Sequence, residues 1–209
     1  MARWGEQSLV AGLVVLLVFS LVLGVIWWQQ QAREMSTPQQ VRWTPDSLDA
    51  VGRAFLRRMQ ALLLQALQQG PEVAVRICAD TAQRFTASFA QQHGISIRRT
   101  ALRWRNPQNR PDSLEAAWIE QFQRWRSEGR SLDTVVVVYH ENDVRLLRPI
   151  LLQSELCLMC HGSPEQIPSS VAQLLSERYP EDKARGFRVG DVRGALSIRV
   201  PKALVSGVP

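Results

Sequence analysis

The sequence predicts an α+β domain, an antiparallel sheet with flanking helices, preceded by one N-terminal transmembrane helix. Three observations lead there. An uninterrupted apolar stretch opens the chain, two segments after it carry apolar residues at three- and four-residue steps, and short β-type runs with helical inserts follow.

The opening stretch, Ser8 to Trp28, contains no charged residue. At about 1.5 Å per residue its 21 positions cover ~30 Å, the thickness of a bilayer core. A secretory signal peptide has an apolar core of only about 7–15 residues and a small-residue cleavage site, so this longer run is expected to be an uncleaved anchor. Trp27 and Trp28 suit the aromatic belt at a membrane interface. The expected organisation is a short cytoplasmic stub over 1–7, the anchor over 8–28, a linker over 29–45 that includes the polar run Ser36 to Gln40, and a globular domain over 46–209.

Within that domain Leu48, Val51, Phe55, Met59, Leu62 and Ala66 predict an amphipathic helix from Ser47 to Gln69, stopped by Gly70-Pro71. A second helix is expected from Pro71 to Gln92, with Val73, Ile77, Cys78, Thr81, Phe85 and Phe89 on a buried stripe and His93-Gly94 at its end. Strands are expected over Ile95 to Trp104, Thr134 to Tyr139, Val144 to Leu152 and Gly194 to Val200. Helices are expected over Pro111 to Ser127, with Leu114, Trp118, Phe122 and Trp125 at helical spacing, and over Ser169 to Arg178. Asn106-Pro107 and Gly190-Asp191 are turn signals. Trp104, Trp118 and Trp125 are expected in the core or lining a pocket.

The chain carries 25 Lys+Arg against 19 Asp+Glu, and all of the basic residues except Lys183 and Lys202 are arginines. They are dispersed without an arm-like run or a nucleic-acid motif, so a solvated basic surface beside a membrane is expected and nucleic acid is not. Some arginines can also pair with carboxylates of a ligand.

The chemistry concentrates in Cys157-Leu158-Met159-Cys160-His161, a C-x-x-C-H run. Its spacing suits covalent attachment of a c-type haem. Cys157 and Cys160 would add across the two porphyrin vinyl groups, and His161 would be the proximal ligand of the iron. A zinc site would need about two further ligands, yet only Cys78, His93 and His140 remain, scattered. A thioredoxin-like dithiol wants a βαβ context, whereas Gly162-Ser163-Pro164 breaks the chain. Charge orients the anchor poorly, because Arg3 faces Arg33 and Arg42 across it. The cytochromes c that this pentapeptide resembles receive haem outside the cytoplasm, which places the domain in the periplasm, held on the bacterial inner membrane by a single pass.

Five ordered motifs carry a wider resemblance. They are Ile77-Cys78-Ala79-Asp80; the run from Arg105-Asn106-Pro107 to Arg110-Pro111-Asp112; Cys157 to Gly162; Tyr179-Pro180-Glu181-Asp182-Lys183-Ala184-Arg185-Gly186-Phe187; and Gly190 to Ile198. Together, over roughly Asp46 to Val200, they resemble the Tll0287-like (DUF3365) family of c-type haem-binding domains. The resemblance implies a PAS-like fold, a single covalently attached haem c, and His161 as proximal ligand. It further implies Cys78 as the distal ligand, since the family includes members with a helix-borne cysteine in that position. Related domains serve as extracytoplasmic sensing parts of membrane-bound signalling proteins.

Counting cysteines also isolates Cys78. With Cys157 and Cys160 in thioethers it has no disulfide partner within the chain, which leaves inert burial, a cross-link to a second chain, or ligation of iron. Met59, His93 and His140 are competing distal ligands, while Met159 lies within the attachment loop, too near the proximal face. Arg105 and Arg193 are the candidate propionate partners. With what the resemblance implies, the metal ligands expected are His161 and Cys78, and the cofactor-binding residues Cys157, Cys160, His161, Arg105 and Arg193.

The function expected is electron transfer by a membrane-anchored monohaem cytochrome, acting with a redox partner protein or as a subunit of a membrane complex. The alternative is a redox or gas sensor, which would have to signal through a partner protein because no transmitter domain is present. A homodimer through the leading hydrophobic helix is compatible with the pattern. No distal acid/base pair is recognisable and a His/Cys iron blocks substrate, so an enzyme is not expected.

Overall fold

The computed structural model describes residues 19–31 and 42–207. The chain divides into two units, Met1–Val41 and Arg42–Pro209. In the first, residues 19–31 form helix α1, on which Phe19, Leu21, Leu23, Trp27 and Trp28 are exposed. Among the described residues no helix is long and apolar enough to cross a membrane. Residues 8–18 of the expected span, the stub over 1–7 and the polar run over 36–40 lie outside the described residues.

The second unit begins earlier than the sequence pattern predicts. Trp43, assigned to the linker, is buried and forms a parallel bridge with Val205. Helix α2 (Pro45–Leu67) follows at once, capped by Thr44, whose hydroxyl accepts from the Ser47 amide while the Ser47 hydroxyl accepts from the Thr44 amide. Such a cap stabilises a helix start by about 1 kcal/mol. Leu48, Gly52 and Phe55 form its buried face. A Cβ on Gly52 would stand 3.1 Å from both Ile198 and Leu196 side chains, so α2 lies close upon the sheet there.

Pro71 starts α3 (Pro71–Asp80) immediately after Gly70, whose φ of 120° needs glycine. The single helix expected over 71–92 is broken at Thr81 into α3 and α4 (Ala82–His93), although Thr81 donates to Ile77 and Phe85 to Thr81 across the break. Ala74, Val75, Ala82 and Phe89 are the buried positions of the pair. Cys78, expected on the buried stripe, is instead exposed, because the break between α3 and α4 interrupts the common face.

The sheet contains β1 (Ser96–Thr100), β2 (Val136–Tyr139), β3 (Asp143–Leu151) and β4 (Val192–Pro201), all antiparallel, in the order β1-β4-β3-β2. The first strand stops at Thr100, well short of Trp104. Side-chain alternation divides its two faces. Leu146, Leu196 and Ile198 meet Leu48, Phe55 and Phe89 on one side, and Leu147 and Ala195 meet Ile119 and Phe122 of α5 (Ser113–Ser127) on the other. Phe55 and Phe122 are fully buried, each stabilising by about 1.5–3 kcal/mol through burial. An Asp112–Glu115 capping box starts α5.

One charged pair lies within the core. Arg148 on β3 donates to both oxygens of Asp49 on α2, at 2.6 and 3.0 Å, and a third bond reaches Asp133. This two-point contact fixes α2 along the sheet.

Candidate functional site

Cys157 ends a short 3₁₀ turn (Glu155–Cys157), and the single helical turn α6 (Leu158–His161) carries the rest of the motif. Cys157 itself has helical backbone angles, so Cys157, Cys160 and His161 stand at i, i+3 and i+4, the spacing that puts side chains on one helix face. Gly162 ends the turn, and its amide donates to the Leu158 carbonyl at 2.8 Å. A Cβ there would meet that same carbonyl oxygen at 2.7 Å and Gln166 Oε1 at 2.6 Å, so the fold requires glycine directly after the histidine.

Two small apolar clusters grip the turn. Cys160 packs on Val75 of α3 and on Ile167, Val171 and Leu175, the last two from α7 (Ser169–Arg178). Cys157 packs on Leu152, Leu158, Ala184 and Phe187. The segment 184–187 also pairs with the motif backbone: Gly186 donates to Gly162 at 2.6 Å and Phe187 to His161 at 2.9 Å.

His161 Nδ1 donates to the Ala184 carbonyl at 2.8 Å, which leaves Nε2 with its lone pair available. Burial pushes the imidazole well below its ordinary value of 6.5, and Arg193 and Arg105 reinforce the shift. The ring is therefore neutral, the form that ligates a metal. Its edge lies against Phe187, with ring centres 6.2 Å apart, and Arg103 stacks on that phenyl ring at 3.6 Å.

Arg105 organises the backbone around the motif. Its Nη2 donates to the Cys160 carbonyl at 2.5 Å and to the Ala184 carbonyl at 3.3 Å, and Nε lies 3.2 Å from Asp182 Oδ1. That Nε has ion-pair proximity without a well-aligned hydrogen bond. Asp182 in turn accepts from the Ala184 amide at 2.8 Å and from Arg185 at 3.1 Å. Arg193 donates to the Arg103 carbonyl. Burial, with Arg105 and Arg99 nearby, pushes its guanidinium down to about 9, a strong penalty for a group that seldom loses its proton.

Cys78 belongs to the same locality. It is exposed in area, yet surrounding protein pushes its thiol up, with Arg99 and Arg105 acting the other way. A side chain that meets solvent while protein crowds it lines a recess, not a convex surface. Cys160 is raised in the same manner, by burial first, and it feels Arg105, Cys78 and Cys157. The structure thus brings Cys78, Cys157, Cys160, His161, Arg105 and Arg193 to one cleft, together with Arg99 and Tyr179, to which the sequence analysis gave no role. The competing ligands lie elsewhere: Met59 packs against the main core, His93 stacks on Phe89, and His140 is exposed. Among the described residues no group of three or more His, Cys, Asp or Glu side chains is placed to hold a metal ion, and a tetrahedral zinc site would need four ligands.

The residues fit a ligand that accepts two thiols and one imidazole from a single turn and carries negative charge toward arginine. Comparison with known proteins identifies the class. Residues 28–201 match the Tll0287-like family, and the chain belongs to that family. The solved crystal structure of the cyanobacterial heme-protein Tll0287 is similar, with a TM-score of 0.57 and 25% identity over 76% of this chain and 96% of that one. No curated protein matches.

Proposed function

We propose that this chain is a membrane-anchored periplasmic cytochrome that carries one c-type haem and transfers electrons. The observation that carries the proposal is the single turn presenting Cys157, Cys160 and His161 on one face, with His161 Nδ1 bound to the Ala184 carbonyl. Family membership and the similar cyanobacterial heme-protein support it. The placement of the last strand in the middle of the sheet supports the PAS-like assignment.

In this role Cys157 and Cys160 would hold the haem through thioethers and His161 would offer Nε2 to its iron. Cys78 would offer its sulfur from α3 as a second ligand to the iron. Arg105 braces the attachment turn through the Cys160 carbonyl, and Arg193 would face a propionate. Bound haem supplies a one-electron Fe(III)/Fe(II) couple, and a thiolate ligand favours the ferric side. Electron exchange then needs a redox partner protein or a membrane complex, and no catalytic turnover. The exposed apolar residues of α1 and the apolar sequence before them support the inner-membrane anchor.

A redox or gas sensor is the second reading. It is favoured by the position of Cys78 on α3, which packs against α7 through Val75: loss of the sulfur from iron would release a helix within the fold.

The test is the absorption spectrum, oxidised and dithionite-reduced, of protein matured with a cytochrome c assembly system and then denatured. Haem retained after denaturation, with a thiolate-type ferric spectrum, is expected. Absence of haem after competent maturation would overturn the proposal. Rapid oxidation by an outer-sphere acceptor distinguishes the carrier from the sensor, for which CO or NO binding on reduction is expected.

A further inference from the structure

Arg98 and Arg99 are neighbours on β1 with opposite situations. Arg98 donates to the carbonyls of Gln108 and Arg110 at 3.0 and 2.7 Å and lies 3.6 Å from Glu115. Arg99, half-buried, makes no hydrogen bond or ion pair with any of the described residues. Strand alternation places Arg99 on the same face as Ile97, across from Leu196. Ile97 and Leu196 belong to the main core, and Arg99 continues that face into the cleft, where it acts on Cys78 and Tyr179. A desolvated guanidinium without a partner is costly.

The charge balance of the cleft is specific. Arg105 has Asp182, whereas among the described residues Arg99 and Arg193 have no carboxylate within ion-pair distance. Two guanidinium groups without a carboxylate partner match a ligand that brings two carboxylates. We propose that Arg99 and Arg193 together form the carboxylate receptor of the cleft, Arg99 binding one propionate of the haem and Arg193 the other. This rests on the haem reading above and adds Arg99 as a ligand-binding residue.

The experiment compares full-length wild-type protein with Arg99→Gln, Arg99→Lys and Arg193→Gln, all matured with the same assembly system. Three readouts are taken: covalent haem per chain, the propionate bending bands in the resonance Raman spectrum, and the midpoint potential. Arg99→Gln is expected to shift one propionate band and Arg193→Gln the other. Both lower the potential, because removing a cation near iron favours the ferric state, and Arg99→Lys restores most of the potential. Haem-loaded Arg99→Gln with unchanged propionate bands overturns the assignment while leaving the haem reading intact. A shifted potential with unchanged bands also overturns it, placing Arg99 beside the Cys78 sulfur. Wild-type protein without haem overturns both. If Arg99→Gln yields no folded protein, Arg99→Lys decides through its band: an unmoved band overturns the assignment and a shifted one supports it.

Discussion

His161 Nδ1 and the Ala184 carbonyl oxygen are 2.8 Å apart, although the two residues come from different segments flanking α7. The bond fixes the tautomer, and burial holds the imidazole neutral, well below 6.5. In haem-free protein the unfolded chain takes up a proton at His161 as pH falls below about 6.5, while the folded chain does not. Stability is therefore expected to fall below pH ~6.5 by up to about 1.4 kcal/mol per pH unit. Urea melts from pH 7.5 to 5.5 check this, and His161→Gln should flatten the slope.

Cys78→Ser, prepared with haem, is expected to lose thiolate features from the ferric spectrum and to show a higher midpoint potential, since thiolate favours Fe(III). An unchanged ferric spectrum would show that Cys78 does not ligate iron.

Arg105→Leu removes the bonds to Cys160 and Ala184 and one of the two arginine partners of Asp182, whose side chain is only 2% exposed. The expected loss is roughly 2 kcal/mol in denaturant unfolding, with less haem attached per chain. Burial alone would raise the Asp182 carboxyl, but Arg105 and the Ala184 amide hold it below its ordinary 3.8. Its contribution is thus present above that value and lost as pH falls beneath it.

Asp49→Ala removes the two-point contact and leaves the buried Arg148 with Asp133, on the exposed side, as its remaining carboxylate partner among the described residues. A loss of about 3–5 kcal/mol is expected. The double variant Asp49→Leu with Arg148→Met should recover most of it, as measured by chemical denaturation.

Gly162→Ala drives a methyl group toward the Leu158 carbonyl, 2.7 Å away, and toward Gln166. Gln166 can swing aside, but the carbonyl belongs to the α6 turn. We expect a destabilisation of about 1–3 kcal/mol and reduced haem attachment. Adding Gln166→Ala should not restore it.

Much of this arrangement is legible in the chain itself. Period-2 and period-3.6 apolar patterns locate the four strands and the longer helices of the domain, though not the single turn α6, and Gly70-Pro71 marks the turn between α2 and α3. Thr81 is different: nothing in the apolar stripe announces the break there, so Cys78 was expected buried. Arg99 had a readable signal, a charge following Ile95 and Ile97 on one strand face, where an inward position demands a partner. The bracing by Arg105 had none, because its bonds go to carbonyls at Cys160 and Ala184, which any sequence would provide. Trp43 escaped for a similar reason, its partner Val205 lying at the other end of the domain.

The strand order β1-β4-β3-β2 sets a schedule for biogenesis. The strand that joins β1 to the β2–β3 hairpin is the last to leave the ribosome, and the Trp43–Val205 bridge closes later still. Until then β1 has no strand partner in the sheet, and a topology with such distant pairing forms slowly. Cys157, Cys160 and His161 precede β4 in the chain, so their turn stands on an open chain until that strand is in place. Completion of the sheet then closes the domain around that turn.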